Sequence, residues 1–348
     1  MVWKLNKALY GLRTSPKAWE EERDEKLQNL TWNLNGQQVG LCKVDSTNCV
    51  WTIREKTPYG FQGEPLGMVI AYVDDLIAVG QQEQLDGMKA SLDALYTMKT
   101  SGTVPAEYTP GTEPLKFLGC FIERISTGEI IMHQRSYIEH CIKNNEMTQL
   151  KTSKSLPCVD EKSPPEDVFD EHGHPTSFEE DKSMCQKYIG QLMWLTTRTR
   201  PDIAAVLGIL ASQMVIRPTY IKGCLIHLWR YVLGTINLNM YSFEPAPMQY
   251  GSLILNVYVD ASFASGGGRS RSGLAMYLVN PTNGKESIIQ WASRRQTSMA
   301  TSAPEAEVSA MAEGFAASIF LFDTLSEIGL VSGSGPSSIM SMKTDSLQ

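Results

Sequence analysis

The stretch GMVIAYVDDLIAVG, residues 67 to 80, sets two adjacent aspartates inside an apolar run. Met68 to Val73 and Leu76 to Val79 have the composition of buried strands, yet burying an unpaired carboxylate is strongly unfavourable. A strand–turn–strand hairpin resolves the conflict by carrying Asp74 and Asp75 to its tip. Aspartate is common in tight turns for local reasons, so an isolated pair is ordinarily just a turn. Flanked by strands, such a pair can also hold divalent cations. Two metals ~3.5–4 Å apart can activate a 3′-hydroxyl and stabilise a pyrophosphate leaving group, which is nucleotidyl transfer.

The pattern along the 348 residues alternates between strands and helices. VWKLNKALYGL reads as a strand and turn, followed by a helix with Ser15 as N-cap, Pro16 at its first position and glutamates in the early turns. QEQLDGMKASLDALY spaces Leu85, Met88, Leu92 and Leu95 on one helical face. EPLKFLGCFIERISTGEIIMHQ reads as two strands joined at Ser126, Thr127 and Gly128, and RSYIEHCIKNNEM as a helix. Residues 183 to 236 read as two or three helices broken at Arg200-Pro201 and Arg217-Pro218. LILNVYVDASFA, GLAMYLVN and SIIQWASRRQ then read as strands. A helix of about 25 residues from Ser302 follows, with Met311, Phe315, Ile319 and Phe322 as its apolar side, and SIMSMKTD reads as a last strand. The fold class expected is α+β.

Charge needs locating before it says anything. The net charge of −7 comes from residues 160 to 182, where nine acids face two lysines, leaving the rest balanced. That composition predicts a mobile surface tether without a catalytic part. Residues 186 to 235 are the most basic stretch, with Lys187, Arg198, Arg200, Arg217, Lys222 and Arg230 against Asp202 alone. They suit either a nucleic-acid track or solvated helix faces. Seven scattered cysteines without C-x-x-C spacing read as reduced intracellular thiols, and His172 and His174 as a solvated loop. No secretory signal is read at the start, and IAAVLGILASQMVI, 203 to 216, is too short for a membrane span, so no membrane partner is expected.

Five stretches carry a family resemblance, in family order. YVDD, 72 to 75, resembles the Y-x-D-D hairpin of reverse transcriptases. VWKLNKALYGLRTSPKAW, 2 to 19, resembles a segment of copia-type retrotransposon polymerases. FLGCFIER, 117 to 124, is similar to their primer-contacting hairpin, and YIGQLMWLTTRTRPDIAAV, 188 to 206, to the helical connection that follows. WASRRQTSMATSAPEAEVSAM is similar to their ribonuclease H domain. The chain is thus identified as resembling the reverse transcriptase–ribonuclease H part of a copia-type Pol polyprotein, read as truncated at both ends. The resemblance implies a partial palm and thumb over 1–150, an acidic linker over 151–182, a helical connection over 183–249 and a ribonuclease H-like mixed sheet with helices over 250–348.

It also implies roles. Asp74 and Asp75 would be catalytic and bind Mg2+, two ions per site in the complete enzyme. Tyr72 and Val73 would lie beneath the primer end, Gly11 would let the backbone approach the incoming nucleotide, and Leu118 and Gly119 would belong to the primer grip. Asp260 on a strand, Glu307 on a helix and Asp345 on another strand match the ribonuclease H order for two magnesium ions. Glu305 competes with Glu307, but residues two apart on a helix point ~200° apart, so only one faces the metals. An integrase-like nuclease would need its glutamate last. Implied partners are an RNA template, a DNA primer, RNA–DNA hybrid, dNTPs and the rest of the polyprotein. The implied setting is the cytoplasm or a virus-like particle, with nuclear access. The bridging aspartate expected upstream of LYGL is not found, so polymerase inactivity is expected; the closing ribonuclease H helix is not found either, so both sites read as incomplete. A non-catalytic remnant that binds nucleic acid or a partner is the alternative.

Overall fold

The computed structural model describes residues 8–9, 11–145, 147, 154–158, 178–241, 251–263, 268–332 and 340–344. Asp345, His172, His174 and most of the acidic segment lie outside the described residues. The fold is mixed α+β, as the sequence pattern implies, and the chain divides into two compact units that interleave in sequence.

The first unit comprises residues 1–101, 248–253 and 319–339. Helix α1 (Ser15–Asn29) and helix α2 (Gln82–Asp93) accompany a five-stranded antiparallel sheet. Its strands, β1 (Thr31–Leu34), β2 (Gln37–Lys43), β3 (Val50–Thr57), β4 (Gly60–Tyr72) and β5 (Asp75–Gly80), pair in sequence order. The β1–β2 hairpin was not anticipated, although Asn35-Gly36 is a strong signal for it. Both residues take positive φ, 51° and 87°, as a type I′ turn requires. Trp32, Leu41, Trp51, Ile53, Val69 and Ala71 bury one sheet face against Leu27 of α1 and Met88 and Leu92 of α2. Leu95 falls beyond the end of α2 and is exposed, so the apolar face is shorter than the spacing predicts.

At α1 the cap differs by one residue from expectation. Thr14 is the N-cap and Ser15 lies inside the helix, where its hydroxyl donates to the Leu9 carbonyl at 2.6 Å. The glutamates lie beyond the first turn.

The second unit comprises residues 102–247, 254–318 and 340–348. Strands β6 (Leu115–Phe117), β7 (Cys120–Arg124), β8 (Ile130–His133) and β9 (Met240–Tyr241) form one antiparallel sheet. Helices α3 (Arg135–Asn144), α4 (Phe178–Thr196), α5 (Ala204–Gln213) and α6 (Pro218–Gly234) enclose a core that includes Leu192, Leu195, Ile203, Leu225, Leu228 and Trp229. The breaks fall at the two Arg-Pro pairs, with a 3-10 turn, Pro201–Ile203, before α5. Arg200 is buried at this corner. It donates to both carboxylate oxygens of Asp202, at 2.9 and 2.8 Å, and to the Thr235 hydroxyl at 2.6 Å.

The tether expectation fails at Phe178, where α4 begins. Glu179, Glu180 and Asp181 occupy its first turn, where acids complement the helix dipole. Asp181 is buried and accepts a hydrogen bond from Lys222.

A mixed sheet of order β12-β11-β10-β13 completes this unit: β10 (Ile254–Ser262), β11 (Arg271–Val279), β12 (Glu286–Arg295) and β13 (Met340–Lys343). β13 runs parallel to β10, with Tyr258 opposite Lys343. Helix α7 (Ala303–Glu327) packs on the sheet through a face the periodicity did not single out. Ala306, Ala310 and Ser318 are buried, and a Cβ added at Gly314 would lie 2.3 Å from Val259 Cγ1. Phe315 and Ile319, expected inside, are exposed. Small residues win because they let the helix approach the strand closely. By length and composition α7 could also cross a membrane, but its small-residue stripe is a sheet-packing face.

Candidate active site at the YVDD hairpin

The two carboxylates are at a hairpin tip. β4 ends at Tyr72 and β5 starts at Asp75, with Tyr72 paired to Asp75 across the turn. Alternation buries Val69 and Ala71, whereas Tyr72, Val73, Asp74 and Asp75 are all exposed. The apolar run is therefore interrupted where the backbone leaves the core, and neither carboxylate carries a burial penalty.

Val73 has φ 55° while Asp74 does not share the positive sign, the pattern of a type II′ turn that glycine normally occupies. A β-branched residue there is strained by about 1–3 kcal/mol and persists only when its surroundings hold it. They do so through α1. Trp19 Nε1 donates to the Val73 carbonyl at 2.9 Å, and Arg23 Nη1 to the same oxygen at 3.4 Å. Arg23 is buried and its guanidinium also donates to Asp24 Oδ1 at 3.0 and 2.7 Å, while Lys43 Nζ donates to Asp24 Oδ2 at 2.6 Å. Asp24 is thus committed to two cations. Trp19, Arg23 and Lys43 were not singled out from sequence; the i, i+4, i+8 spacing of Trp19, Arg23 and Leu27 was the available signal.

The other site residues belong to other elements. Gly11 turns the chain ahead of α1 with φ 90° and open space around its Cα. Leu118 and Gly119, both at positive φ, form the two-residue turn between β6 and β7. A Cβ on Gly119 would sit 3.0 Å from the Trp194 ring, which Arg198 covers at 4.8 Å. Asp260 is exposed near the end of β10 and, with Tyr258, Tyr277, Trp291 and Lys343, lines an open groove of about 860 Å³.

Glu305 and Glu307 differ. Glu305 Oε2 accepts from the Thr301 hydroxyl at 2.7 Å and from its N–H at 2.6 Å, which caps the start of α7. These bonds, the hydroxyl's first, hold its carboxyl below the ordinary value of 4.5. Glu307 is partly buried one residue beyond Ala306, whose carbonyl accepts from Gln296 at 2.8 Å. Asp345 lies outside the described residues. Among the described residues, no three His, Cys, Asp or Glu side chains gather closely enough to hold a metal ion. Asp74 and Asp75 are consecutive exposed residues of the β4–β5 turn.

Residues 1–160 match the family model described as reverse transcriptase (RNA-dependent DNA polymerase). The chain is 28% identical over 335 residues to the retrovirus-related Pol polyprotein from transposon TNT 1-94 of Nicotiana tabacum, covering 95% of this chain and 22% of that protein. It is 25% identical over 334 residues to the corresponding polyprotein from transposon RE1 of Arabidopsis thaliana, covering 94% and 19%. A putative transposon Ty5-1 protein of Saccharomyces cerevisiae is 26% identical over 265 residues, covering 75% and 72%. The chain therefore spans about a fifth of the length of the two plant polyproteins. No solved structure matches it. The family match contains the YVDD hairpin and the helix that holds it, and the polyprotein matches run nearly the whole chain: residues 1–160 match a reverse transcriptase domain, and the chain as a whole is similar to retrotransposon Pol polyproteins.

Proposed function

We propose that the chain carries part of an RNA-directed DNA polymerase site at Asp74 and Asp75, with RNA as template, a DNA primer and dNTPs as substrates. The observation that carries this reading is the exposed carboxylate pair on a rigidly held turn inside the family match. Adjacent carboxylates supply the hard oxygen donors that Mg2+ takes, and the bound ions would lower the charge barrier to nucleotidyl transfer. The chain's own contribution is to orient the pair: Tyr72 and Val73 shape the floor beside it, Gly11 leaves backbone accessible to a nucleotide, and the Leu118-Gly119 turn touches the primer. Since two-metal chemistry needs a further bridging carboxylate, and none joins the pair among the described residues, these residues alone do not extend a primer.

Over 250–348 we propose a ribonuclease H-like domain, with Asp260, Glu307 and Asp345 as its magnesium ligands acting on RNA–DNA hybrid. Support comes from the mixed sheet with a parallel β10–β13 pair, from the cap that occupies Glu305, and from polyprotein matches that run through this part. The remaining proposed segments are a partial palm and thumb over 1–150, a linker before α4 and a helical connection up to 249. The site of action would be the cytoplasm or a particle formed there, with access to the nucleus.

Primer extension on an RNA template tests the polymerase reading. This chain should be inactive, and a chimera joined at its start to the preceding segment of a related Pol polyprotein, which would supply the further carboxylate, should extend the primer. Extension by the 348-residue chain would contradict the requirement for a further carboxylate.

A further inference from the structure

We infer that Trp19 and Arg23 of α1 are positioning residues for the Asp74–Asp75 pair, acting through the Val73 carbonyl. The inference rests on reading that turn as the polymerase site, but its geometry stands without it. Two donors from successive turns of one helix converge on a single carbonyl oxygen, at 2.9 and 3.4 Å. That oxygen belongs to the one residue of the turn whose backbone is strained, and the next two residues are the carboxylates.

Each donor is itself fixed. The Trp19 ring meets Tyr96 edge-on at 6.0 Å between centroids. Arg23 is held by Asp24, and Asp24 by Lys43 on β2, so the clamp is tied into the sheet's second strand. A hydrogen bond to an exposed turn from an arginine with 7% exposure is a costly arrangement for stability alone, because the guanidinium must leave water. It does fix the direction of the peptide that leads into Asp74, and a misplacement of about 1 Å at a reacting group can cost ~100-fold in rate.

The test is a coupling measurement by amide hydrogen exchange on the whole chain. Trp19→Phe removes the N–H donor and keeps a ring against Tyr96. It should speed exchange in the 68–80 peptide by about fivefold and leave the Leu118-Gly119 hairpin unchanged. In a Val73→Gly background, where the turn needs no restraint, the same change should alter exchange by less than about twofold. Equal acceleration in both backgrounds, no acceleration, or acceleration of both hairpins alike would overturn the inference. The chimera with the preceding segment of a related Pol polyprotein supplies the second arm: Trp19→Phe should lower its kcat about tenfold with the KM for dNTP unchanged. Coupled exchange in the whole chain together with no primer extension by the chimera would sink the polymerase reading and leave the clamp standing.

Discussion

Glu305 and Glu307 show how much a single residue's role can be read from a sequence. Helical geometry alone sends the two side chains in different directions, and the structure gives Glu305 a partner in Thr301. Because its folded carboxyl titrates below the ordinary value, its cap contributes stability that is present above that value and lost as pH falls through the lowered one. Carboxyl NMR should show Glu305 titrating low and Thr301→Val moving it back up; an unmoved titration would contradict the cap. The clamp on Val73 was not legible in the same way. Its acceptor is a backbone carbonyl 54 residues from Trp19, and no side-chain pattern marks a carbonyl.

At the scale of elements, strands and helices followed hydrophobic period and turn chemistry, but packing faces did not always follow the largest side chains. The β4–β5 hairpin was legible because two charges in an apolar run have few other places to go. On α7 the expected face of Phe315 and Ile319 is exposed, and the stripe of Ala306, Ala310, Gly314 and Ser318 packs instead. Periodicity weighs hydrophobicity, whereas the contact is set by how closely helix and strand approach. Gly314→Ala tests this. Helix propensity favours alanine by about 1 kcal/mol, while forcing a methyl against Val259 costs about 1–3 kcal/mol. The clash should win, lowering the urea midpoint; a raised midpoint would mean that α7 does not sit tightly on β10.

For the whole molecule, net charge was a poor guide and local charge a mixed one. Arg200 and Lys222, two of the six cations in the basic stretch, are engaged by Asp202 and Asp181. That leaves a smaller basic surface than the sequence suggests. The compact units were also beyond sequence reading, since residues 319–339 join the first unit through contacts no motif announces. Glu327 there accepts from the backbone N–H groups of Asp45 and Ser46, at 2.6 and 3.1 Å. What motif order does specify is where the chemistry should lie. The most direct test is primer extension by the chimera with the preceding segment of a related Pol polyprotein, with and without Asp74→Asn, and with Glu305→Gln as a control for surface charge. Asp74→Asn should cut extension by about 1,000-fold, close to 4 kcal/mol in the transition state, while Glu305→Gln leaves it unchanged. Undiminished extension by the Asp74→Asn protein would contradict the assignment of the YVDD turn as the polymerase site.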